Sequence, residues 1–391
     1  MLLLLSIILF GIIAYTYAGY PLLLWLLCSL NIRRETPSTI LHNSDRTWPE
    51  VSIVLAMHNA ASLVETKLAN LAQIDYIGKV TINFVLDGCS DETEDIIQRS
   101  INRGYRFPIN IWLQSERRGK EAAIRNALPN LPGGVLMFSD ADAELANDAL
   151  RLLVETLLEE GVGVACGKEI HLSSSGAGAG SGQGLFYRYE HAIKLMQARF
   201  TSMTYVQGGV FAMWKALYPS SIPAGATQDG AIAFHTVLHG YRVVYVDKAE
   251  SREPYDLPTS ADFARRIRTV SRALYSVTCY PQIFLPNRCG LYGFHVMSSR
   301  FLRWMTVPVA AIANLMMVVP LMEGQIGARM ILALELLWLI LATIGFYMEK
   351  HGVRWKLPYF CYYFSYIHFA ACMAVARVLC GQRTSVWKPT T

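Results

Sequence analysis

Apolar positions change their spacing regularly along the chain, and this pattern predicts alternating strands and helices. Between residues 48 and 250, short continuous apolar runs predict buried strands at Val51–Met57, 80–86, 109–113, Val135–Ser139 and 241–246. Stretches with helical spacing are found at 62–73, 119–128, about 147–160 and 231–240. This strand–helix order predicts an α/β fold whose mainly parallel sheet is covered by helices.

Polar residues at two helix starts refine the predicted boundaries. Ser62 and Glu65 have the spacing of a capping box, which predicts a helix that begins near Ser62. Asp91, with Glu94 three residues later, is expected to cap the helix after the second strand.

Long apolar segments at both ends of the chain predict membrane-spanning helices. Residues 2–30 carry no charge, and 301–322, 330–348 and 357–379 approach the ~20 residues that cross a bilayer. Arg33 and Arg34 follow the first segment, so the positive-inside rule places the α/β region in the cytoplasm. One C-terminal span is a candidate interfacial helix, since three full spans would leave Arg383 and Lys388 outside.

Composition supports a membrane protein and narrows its partners. Hydrophobic residues make up 53% of the 391 residues and charged residues only 17%, against about 25% in soluble domains. The net charge of +5 suits an anionic membrane face or a phosphate ligand, and we expect no nucleic-acid partner. The eight cysteines form no CxxC pair, which favours reduced, buried thiols.

Polar residues, most of them acidic, follow the predicted strands at the positions where α/β sheets bind ligands. Asn59 follows the first strand, Asp87 and Asp91 the second, and Asp140 with Asp142 the strand Val135–Ser139. Asp140 and Asp142 are candidate ligands for Mg²⁺ or Mn²⁺, which prefer carboxylate oxygens and bridge to phosphates. Such a pair is also common in turns and helix caps, so the metal interpretation depends on its position after a buried strand.

Basic residues at two predicted helices are candidate anion contacts. Arg118 and Lys120 lie at a helix start, where cations oppose the helix dipole unless an anion binds there. A solvated basic loop is the alternative. Arg265 and Arg268 lie on an amphipathic helix at 262–277, whose alternative role is to reach lipid phosphates. Asp229 precedes the helical run at 231–240 and, taken alone, is interpreted as its N-cap.

Two hydrolase classes are disfavoured by the absence of their motifs. His235 and His239 are four residues apart, but no Glu follows His235 as in a zinc protease motif. No Gly-x-Ser-x-Gly sequence of a serine hydrolase occurs.

The order of the motifs is more specific than any one of them. VSIVLAMHN, LDGCSDET, RRGKEAAIRNAL, FSDAD, GGVFAMW, TQDGAIAFHTVLHGYRVVYV and RRIRTVSR follow one another from Val51 to Arg272. This series resembles the membrane-bound glycosyltransferases of family 2. The resemblance implies a glycosyltransferase A fold and inverting transfer of a sugar from a nucleotide-diphosphate donor, with UDP-sugars favoured. Mg²⁺ or Mn²⁺ is the implied cofactor.

The resemblance implies a role for each matching residue. Asp229 matches the catalytic base, and Asp142, helped by Asp140, matches the metal ligand. The residues implied to bind the donor are Asn59, Asp87, Asp91, Arg118, Lys120, Asp140, Arg265 and Arg268.

The resemblance also implies a domain plan. It consists of a transmembrane helix (1–30), a linker (31–48), the catalytic domain (49–250), interfacial helices (251–297), about three transmembrane helices (298–380) and a tail (381–391). The expected location is the bacterial inner membrane, with the catalytic domain in the cytoplasm. The acceptor is expected to be lipid-linked or a saccharide, with membrane lipids as further partners.

Three positions depart from the family pattern and keep alternatives open. Ala60, Gln228 and Thr269 stand where the family usually has Glu, Glu and Trp. Loss of the Trp favours a single transfer over a processive polysaccharide synthase. A catalytically inert membrane scaffold is the alternative from another class, although every charged motif position is retained.

Overall fold

The computed structural model describes residues 1–30, 47–172, 182–254, 259–351, 353 and 355–382. Residues 31–46 of the predicted linker (31–48) and the basic residues Arg33, Arg34, Arg354, Arg383 and Lys388 lie outside this part of the chain. The strands are β1 (Val51–Met57), β2 (Val80–Asp87), β3 (Ile109–Gln114), β4 (Val135–Ser139), β5 (Glu144–Leu145), β6 (Val162–Leu172), β7 (Val210–Trp214) and β8 (Arg242–Pro254).

Twelve helices of this part of the chain are labelled in order. They are α1 (Leu2–Ser29), α2 (Ala61–Leu71), α3 (Thr93–Asn102), α4 (Lys120–Ala127), α5 (Ala149–Leu157), α6 (Gly182–Phe200), α7 (Gln228–Leu238), α8 (Thr259–Cys279), α9 (Tyr292–Trp304), α10 (Thr306–Met322), α11 (Ile326–Lys350) and α12 (Lys356–Leu379). Short turns of helix, among them Pro281–Phe284 and Pro286–Cys289, connect α8 to α9.

The eight strands form one sheet in the order β3-β2-β1-β4-β7-β6-β8-β5. The strands β1 to β4 pair in parallel, and β6 and β8 run in the same direction. Only β7 and β5 run the opposite way, as their antiparallel ladders show. The predicted mainly parallel sheet is therefore confirmed. The carboxyl ends of β1, β2, β4, β6 and β8 all lie at one edge.

Both faces of the sheet are buried, as the continuous apolar runs of its strands require. Along β1, Ile53 and Leu55 pack into a core shared with α2, α3 and α5, whereas Val54 points into a second core on the other face. That second core includes Phe234 of α7 and continues to Val375 of the apolar helix α12. One face of the sheet therefore packs on the elements that lead to the membrane.

Two predicted helix caps are wrong in detail. Helix α2 begins at Ala61, and its N-cap Ala60 supplies no side-chain hydrogen bond, so Ser62 and Glu65 form no capping box. The α7 cap is Thr227, whose hydroxyl accepts a hydrogen bond from the Gly230 amide. Asp229 lies in the first turn of α7, so it is not the N-cap residue.

The apolar ends form helices of spanning length. Among the described residues, α1, α11 and α12 are each long and apolar enough to cross a membrane. Helices α9 and α10 pass the same test only as a pair, and they are bent by 65° at their junction. The predicted single N-terminal span and about three C-terminal spans are confirmed as candidate membrane helices, when the bent pair α9–α10 (292–322) is taken as the first C-terminal span.

The amphipathic helix is confirmed as α8, which packs along α12. Strand β8 continues to Pro254, four residues past the boundary expected at 250. The last residues of β8 therefore belong to the sheet edge described below.

Candidate functional site

Asp87, the last residue of β2, organises the loop that leads into α4. Its carboxylate accepts hydrogen bonds from the backbone amides of Arg118 and Gly119, both at 2.8 Å. The side chain of Gln114 at the end of β3 donates a third bond at 2.7 Å. Gly119 has a φ of +100°, which favours glycine because a side chain there would be strained. The carboxylate can accept about four bonds, so it retains capacity for a ligand.

We expect Asp87→Asn to destabilise the protein by about 2–3 kcal/mol, because bonds to a charged acceptor are lost and an amide donor meets buried N–H groups. The apparent melting temperature should fall by about 5–10 °C. Glu116→Gln is the control, since Glu116 is exposed and pairs with the exposed Arg118 side chain at 3.0 Å in the same loop. Equal melting temperatures for the two variants would contradict the role of Asp87.

Asn59 and Asp91 join the loops after β1 and β2. Asn59 has a positive φ of 49°, which Asn tolerates better than most residues, and its side-chain oxygen accepts from the Ser90 amide at 2.9 Å. Asp91 accepts from the amides of Thr93 and Ala61, both at 3.1 Å. Burial alone would raise the Asp91 pKa, but these bonds and the Thr93 hydroxyl lower it. Asp91 therefore ties two helix starts together beside Asp87.

Lys120 links the carboxylates at the centre of the sheet edge. Its ammonium lies 2.7 Å from the Asp140 carboxylate, just after β4. Burial would lower the Lys120 pKa, but Asp140, and more weakly Asp229, raise it. The loop that is hydrogen-bonded to Asp87 thus positions the Lys120 ammonium where it interacts electrostatically with both Asp140 and Asp229. The Arg118 side chain, in contrast, points away towards Glu116 and is exposed.

Asp229 is held in surroundings that favour its protonated form. Its pKa is raised from 3.8 to about 7, mainly because the surrounding protein desolvates the carboxylate. Lys120 opposes this shift, whereas Glu169 and Asp140 add to it. Its backbone carbonyl accepts from Val206 at 3.3 Å, which fixes the turn. A carboxylate with a pKa near neutrality suits proton transfer.

Asp140 and Asp142 lie on a tight turn, with Asp140 half-buried and Asp142 exposed. Among the described residues, no group of three or more His, Cys, Asp or Glu side chains has the arrangement of a metal site. Two neighbouring carboxylates suit a hard divalent cation, which commonly takes further ligands from substrate phosphates and water. Metal binding by this pair stays a prediction.

Two acidic residues that the sequence did not indicate complete this edge. Glu169 of β6 accepts hydrogen bonds from the Gly209 amide at 2.8 Å and the Gln207 side chain at 3.1 Å. Glu253 of β8 is buried, and a side chain at Gly209 would collide with its carboxylate at 2.0 Å. Burial first, and then Glu169, Asp140 and Asp142, raise the Glu253 pKa to about 9, although Arg265 opposes the shift. The excess of carboxylates is an environment that a divalent cation would stabilise.

We expect Glu253→Gln to raise the melting temperature by about 2–6 °C at pH 7–8 in EDTA. The Glu253 pKa is higher in the folded protein, so protonation stabilises the fold below pH 4.5. This stabilisation is lost as the pH rises to about 9. Glutamine carries no ionisable group, so the stability of the variant does not fall for this reason. The wild-type melting temperature should therefore fall over this range more steeply than that of the variant. A lower melting temperature for the variant would contradict the electrostatic explanation.

Lys67 of α2 was also missed by sequence analysis. Its ammonium is buried and donates to the Ser139 hydroxyl at 2.8 Å and to the Ala143 carbonyl, which brace the turn of Asp140 and Asp142. Burial lowers its pKa to about 8, although both aspartates oppose this shift. The sequence signal that could have indicated a buried Lys67 is its position among the apolar residues of one helix face.

Arg265, Arg268 and Arg272 lie along one stretch of α8, beside the sheet edge. The Arg268 pKa is lowered first by burial and then by Arg265 and Arg272. Arg272 forms an ion pair with Glu121 of α4 and lowers the pKa of Asp229. Neighbouring cations repel one another, so this arrangement favours a bound anion.

The structure therefore brings most predicted site residues to one edge. Asp87, Lys120, Asp140 and Asp229 are linked by bonds or by electrostatic interaction, and Asn59 with Asp91 flanks Asp87. Asp142 and Arg265 both act on Glu253. Their individual roles stay predictions.

Comparison with known proteins shows which family model and which proteins parts of the chain are similar to. Residues 52–218 match the family described as glycosyl transferase family 2. An N-acetylglucosaminyltransferase of Neorhizobium galegae is 31% identical over 122 residues, which cover 31% of this chain and 28% of that protein. A beta-monoglucosyldiacylglycerol synthase of Trichormus variabilis is 28% identical over 116 residues, or 29% of this chain and 25% of that protein. The matches thus span about a quarter of the relatives' length.

A solved structure shares the whole fold. A mannosyltransferase from Pyrobaculum calidifontis, in complex with GDP-Man and Mn²⁺, superposes with a TM-score of 0.68 at 18% identity. The alignment covers 98% of this chain and 100% of that protein, so the predicted glycosyltransferase A fold, with its apolar helices, is confirmed. The ordered motifs, the sheet and the family match together assign residues 52–218 to glycosyl transferase family 2.

Proposed function

We propose that the protein transfers a sugar from a nucleotide-diphosphate donor to a membrane-associated or lipid-linked acceptor, with inversion at the anomeric carbon. The observation that carries the proposal is the Lys120 ammonium, which bonds Asp140 at 2.7 Å and lies within electrostatic reach of Asp229. A phosphate-binding cation, candidate metal ligands and a candidate base thus share one sheet edge.

Each end of the donor has a matching set of residues. Asp87, Asn59 and Asp91 lie where the base and ribose would bind, at the ends of β1 and β2. Lys120 and the arginines Arg265 and Arg268 would hold the diphosphate. Charge-assisted bonds of this kind are strong, and guanidinium groups match phosphate oxygens well.

Asp229 supplies the proton acceptor. In its ionised form it takes the proton of the acceptor hydroxyl as that oxygen bonds to the anomeric carbon, while the bond to the diphosphate breaks. Asp140 and Asp142 would hold Mg²⁺ or Mn²⁺, which when bound supplies positive charge for the leaving diphosphate. The Mn²⁺ in the Pyrobaculum calidifontis mannosyltransferase supports a divalent cation here.

The names of the relatives support the class of donor and acceptor. They include an N-acetylglucosaminyltransferase, a glucosyldiacylglycerol synthase and a protein bound to GDP-Man. UDP-sugars are our favoured donors. The exposed Thr269 on α8, where processive synthases have Trp, favours a single transfer over polymer synthesis.

A donor screen tests this proposal. The purified full chain in neutral detergent is mixed with UDP-glucose, UDP-N-acetylglucosamine or GDP-mannose and Mn²⁺ or Mg²⁺, and nucleoside diphosphate release is measured. We expect slow release from one donor, stopped by EDTA. If no donor binds or reacts, the inert-scaffold alternative replaces the proposal.

A further inference from the structure

A cavity of about 310 Å³ lies between the sheet edge and the apolar helices. Its walls come from the end of β6 and from α6, α8, α9 and α12, so it reaches from the acidic edge to a candidate membrane span. This volume is at the lower end of the range for ligand pockets and is sufficient for a headgroup.

The cavity is positively charged. Four arginines and two acids line it, and they are Arg265, Arg266, Arg300, Arg303, Glu190 and Asp262. Because Arg265 is assigned to the donor diphosphate, the other three arginines and the two acids leave a net charge of +1. Arg303 and, at 3.9 Å, Arg300 pair with Glu190, and Arg266 bonds Asp262 at 2.7 Å. The excess charge favours an anionic occupant.

One buried donor in this wall lacks a partner. Arg303 is 8% exposed, and its Nε atom makes no hydrogen bond within the described part of the chain. A buried donor without an acceptor costs free energy, so an anion or water is expected at this position. Guanidinium groups bind phosphate oxygens in paired hydrogen bonds, which makes phosphate the matching group.

Part of the lining is apolar and includes a candidate membrane span. The apolar lining residues include Val270, Trp304, Ile367 and Ala371, the last two from α12. The occupant therefore combines a negative headgroup with an apolar chain, as a lipid does. A free sugar phosphate would leave this apolar lining without a partner.

One arginine of the cavity wall contacts the segment that packs on the turn of the candidate base. The Arg300 guanidinium lies 5.4 Å from the centre of the Tyr205 ring. The next residue, Val206, donates its amide to the Asp229 carbonyl at 3.3 Å. A headgroup anchored at Arg300 is thus one side chain away from the turn that carries Asp229.

We propose that this cavity binds the phosphate of a phosphate-bearing lipid acceptor, whose headgroup hydroxyl receives the sugar. The assignment rests on the proposed glycosyl transfer and specifies its acceptor. The lipid hydroxyl oxygen bonds to the anomeric carbon, its proton passes to Asp229, and the nucleoside diphosphate leaves. The lipid phosphate stays intact and serves as an anchor.

Photolabelling of the full chain in neutral detergent tests the assignment. The probe is photoactivatable phosphatidylglycerol, and the competitors are dioleoylphosphatidylglycerol, dioleoylglycerol and glycerol 3-phosphate. We expect labelled peptides from α8, α9 or α12, and competition by dioleoylphosphatidylglycerol at least about 10-fold stronger than by the other two. Equal competition by dioleoylglycerol overturns the phosphate requirement, and equal competition by glycerol 3-phosphate overturns the lipid.

Arginine variants locate the site. Arg300→Gln should weaken labelling about 10-fold, and Arg300→Lys should restore most of it. Arg288→Gln is the matched control, because Arg288 is exposed and lies outside the cavity in the connection to α9. Unchanged labelling of a folded Arg300→Gln variant overturns the assignment. If this variant does not fold, the competition experiment on the wild type decides the assignment instead.

Donor binding, measured separately on the wild type by calorimetry, distinguishes the two proposals. Selective lipid labelling without donor binding would remove the proposed function. Donor binding with unselective labelling would remove the cavity assignment alone.

Discussion

Asp229→Asn should lower the rate of sugar transfer by about 10²–10⁴-fold, the usual contribution of a general base. The substitution keeps the size of the side chain and removes its ability to accept a proton. Donor affinity should change little, because Asp229 is expected to contact the acceptor hydroxyl. Single-turnover transfer and donor calorimetry on the same preparation measure the two effects.

The pH profile provides a second readout for Asp229. Its pKa of about 7 means that the carboxylate becomes protonated, and unable to act as a base, as the pH falls below neutrality. Wild-type kcat/KM should therefore fall on the acidic side of about pH 7, and the variant should lack this limb. A cation bound beside Asp140 would move the limb to lower pH.

Asp95→Asn is the matched control for Asp229→Asn. Asp95 also lies in the first turn of a helix, α3, but its side chain is exposed and it is not one of the predicted site residues. Loss of the same charge at a helix start should leave transfer nearly unchanged. If Asp229→Asn abolishes donor binding with no separate defect in transfer, Asp229 is not the base.

Asp142→Ala should raise the Mn²⁺ concentration required for half-maximal transfer by about 100-fold or more. Groups that only orient a metal ligand already cost about 10–100-fold when removed, and Asp142 is expected to be a direct ligand. The Asp142 side chain is exposed, so its loss creates no cavity. Titration of Mn²⁺ against transfer, together with calorimetric titration of Mn²⁺ in the presence of nucleoside diphosphate, measures the effect.

Glu144→Ala separates ligation from the general electrostatic field. Glu144 is an exposed carboxylate two residues further along, so its removal changes the local charge by the same amount. We expect its metal requirement to stay close to that of the wild type. A metal requirement of Asp142→Ala equal to that of Glu144→Ala would move the ligand elsewhere.

Local signals predicted the polar site residues at the carboxyl ends of β1, β2 and β4. A parallel strand places its carboxyl end at the shared edge, so Asp87 and Asp140 could be grouped without a structure. The predicted capping box at Ser62 is wrong because the helix begins one residue earlier. The amides of Ala60 and Ala61 there donate to the side chains of Thr93 and Asp91. Those partners are about 30 residues away, and no local pattern includes them.

Glu169 and Glu253 could not be predicted in the same way. They lie on β6 and β8, where register shifts interrupt the pairing, and each strand mixes charged and apolar residues. Their meeting beside Gly209 depends on the antiparallel strand β7 between β4 and β6. Sequence separation of more than 80 residues hides this contact from any periodicity.

The amino-acid sequence by itself determined the alternation of strands and helices, the apolar helices at both ends and the ordered acidic and basic motifs. These features follow from local periodicity and from which residues end a strand. Only the tertiary structure decided that Lys120 joins Asp140 and Asp229, that Glu253 joins the acidic edge, and that arginines of α8 and α9 enclose a cavity. Such contacts depend on strand order and helix packing, which bring together side chains far apart in the chain.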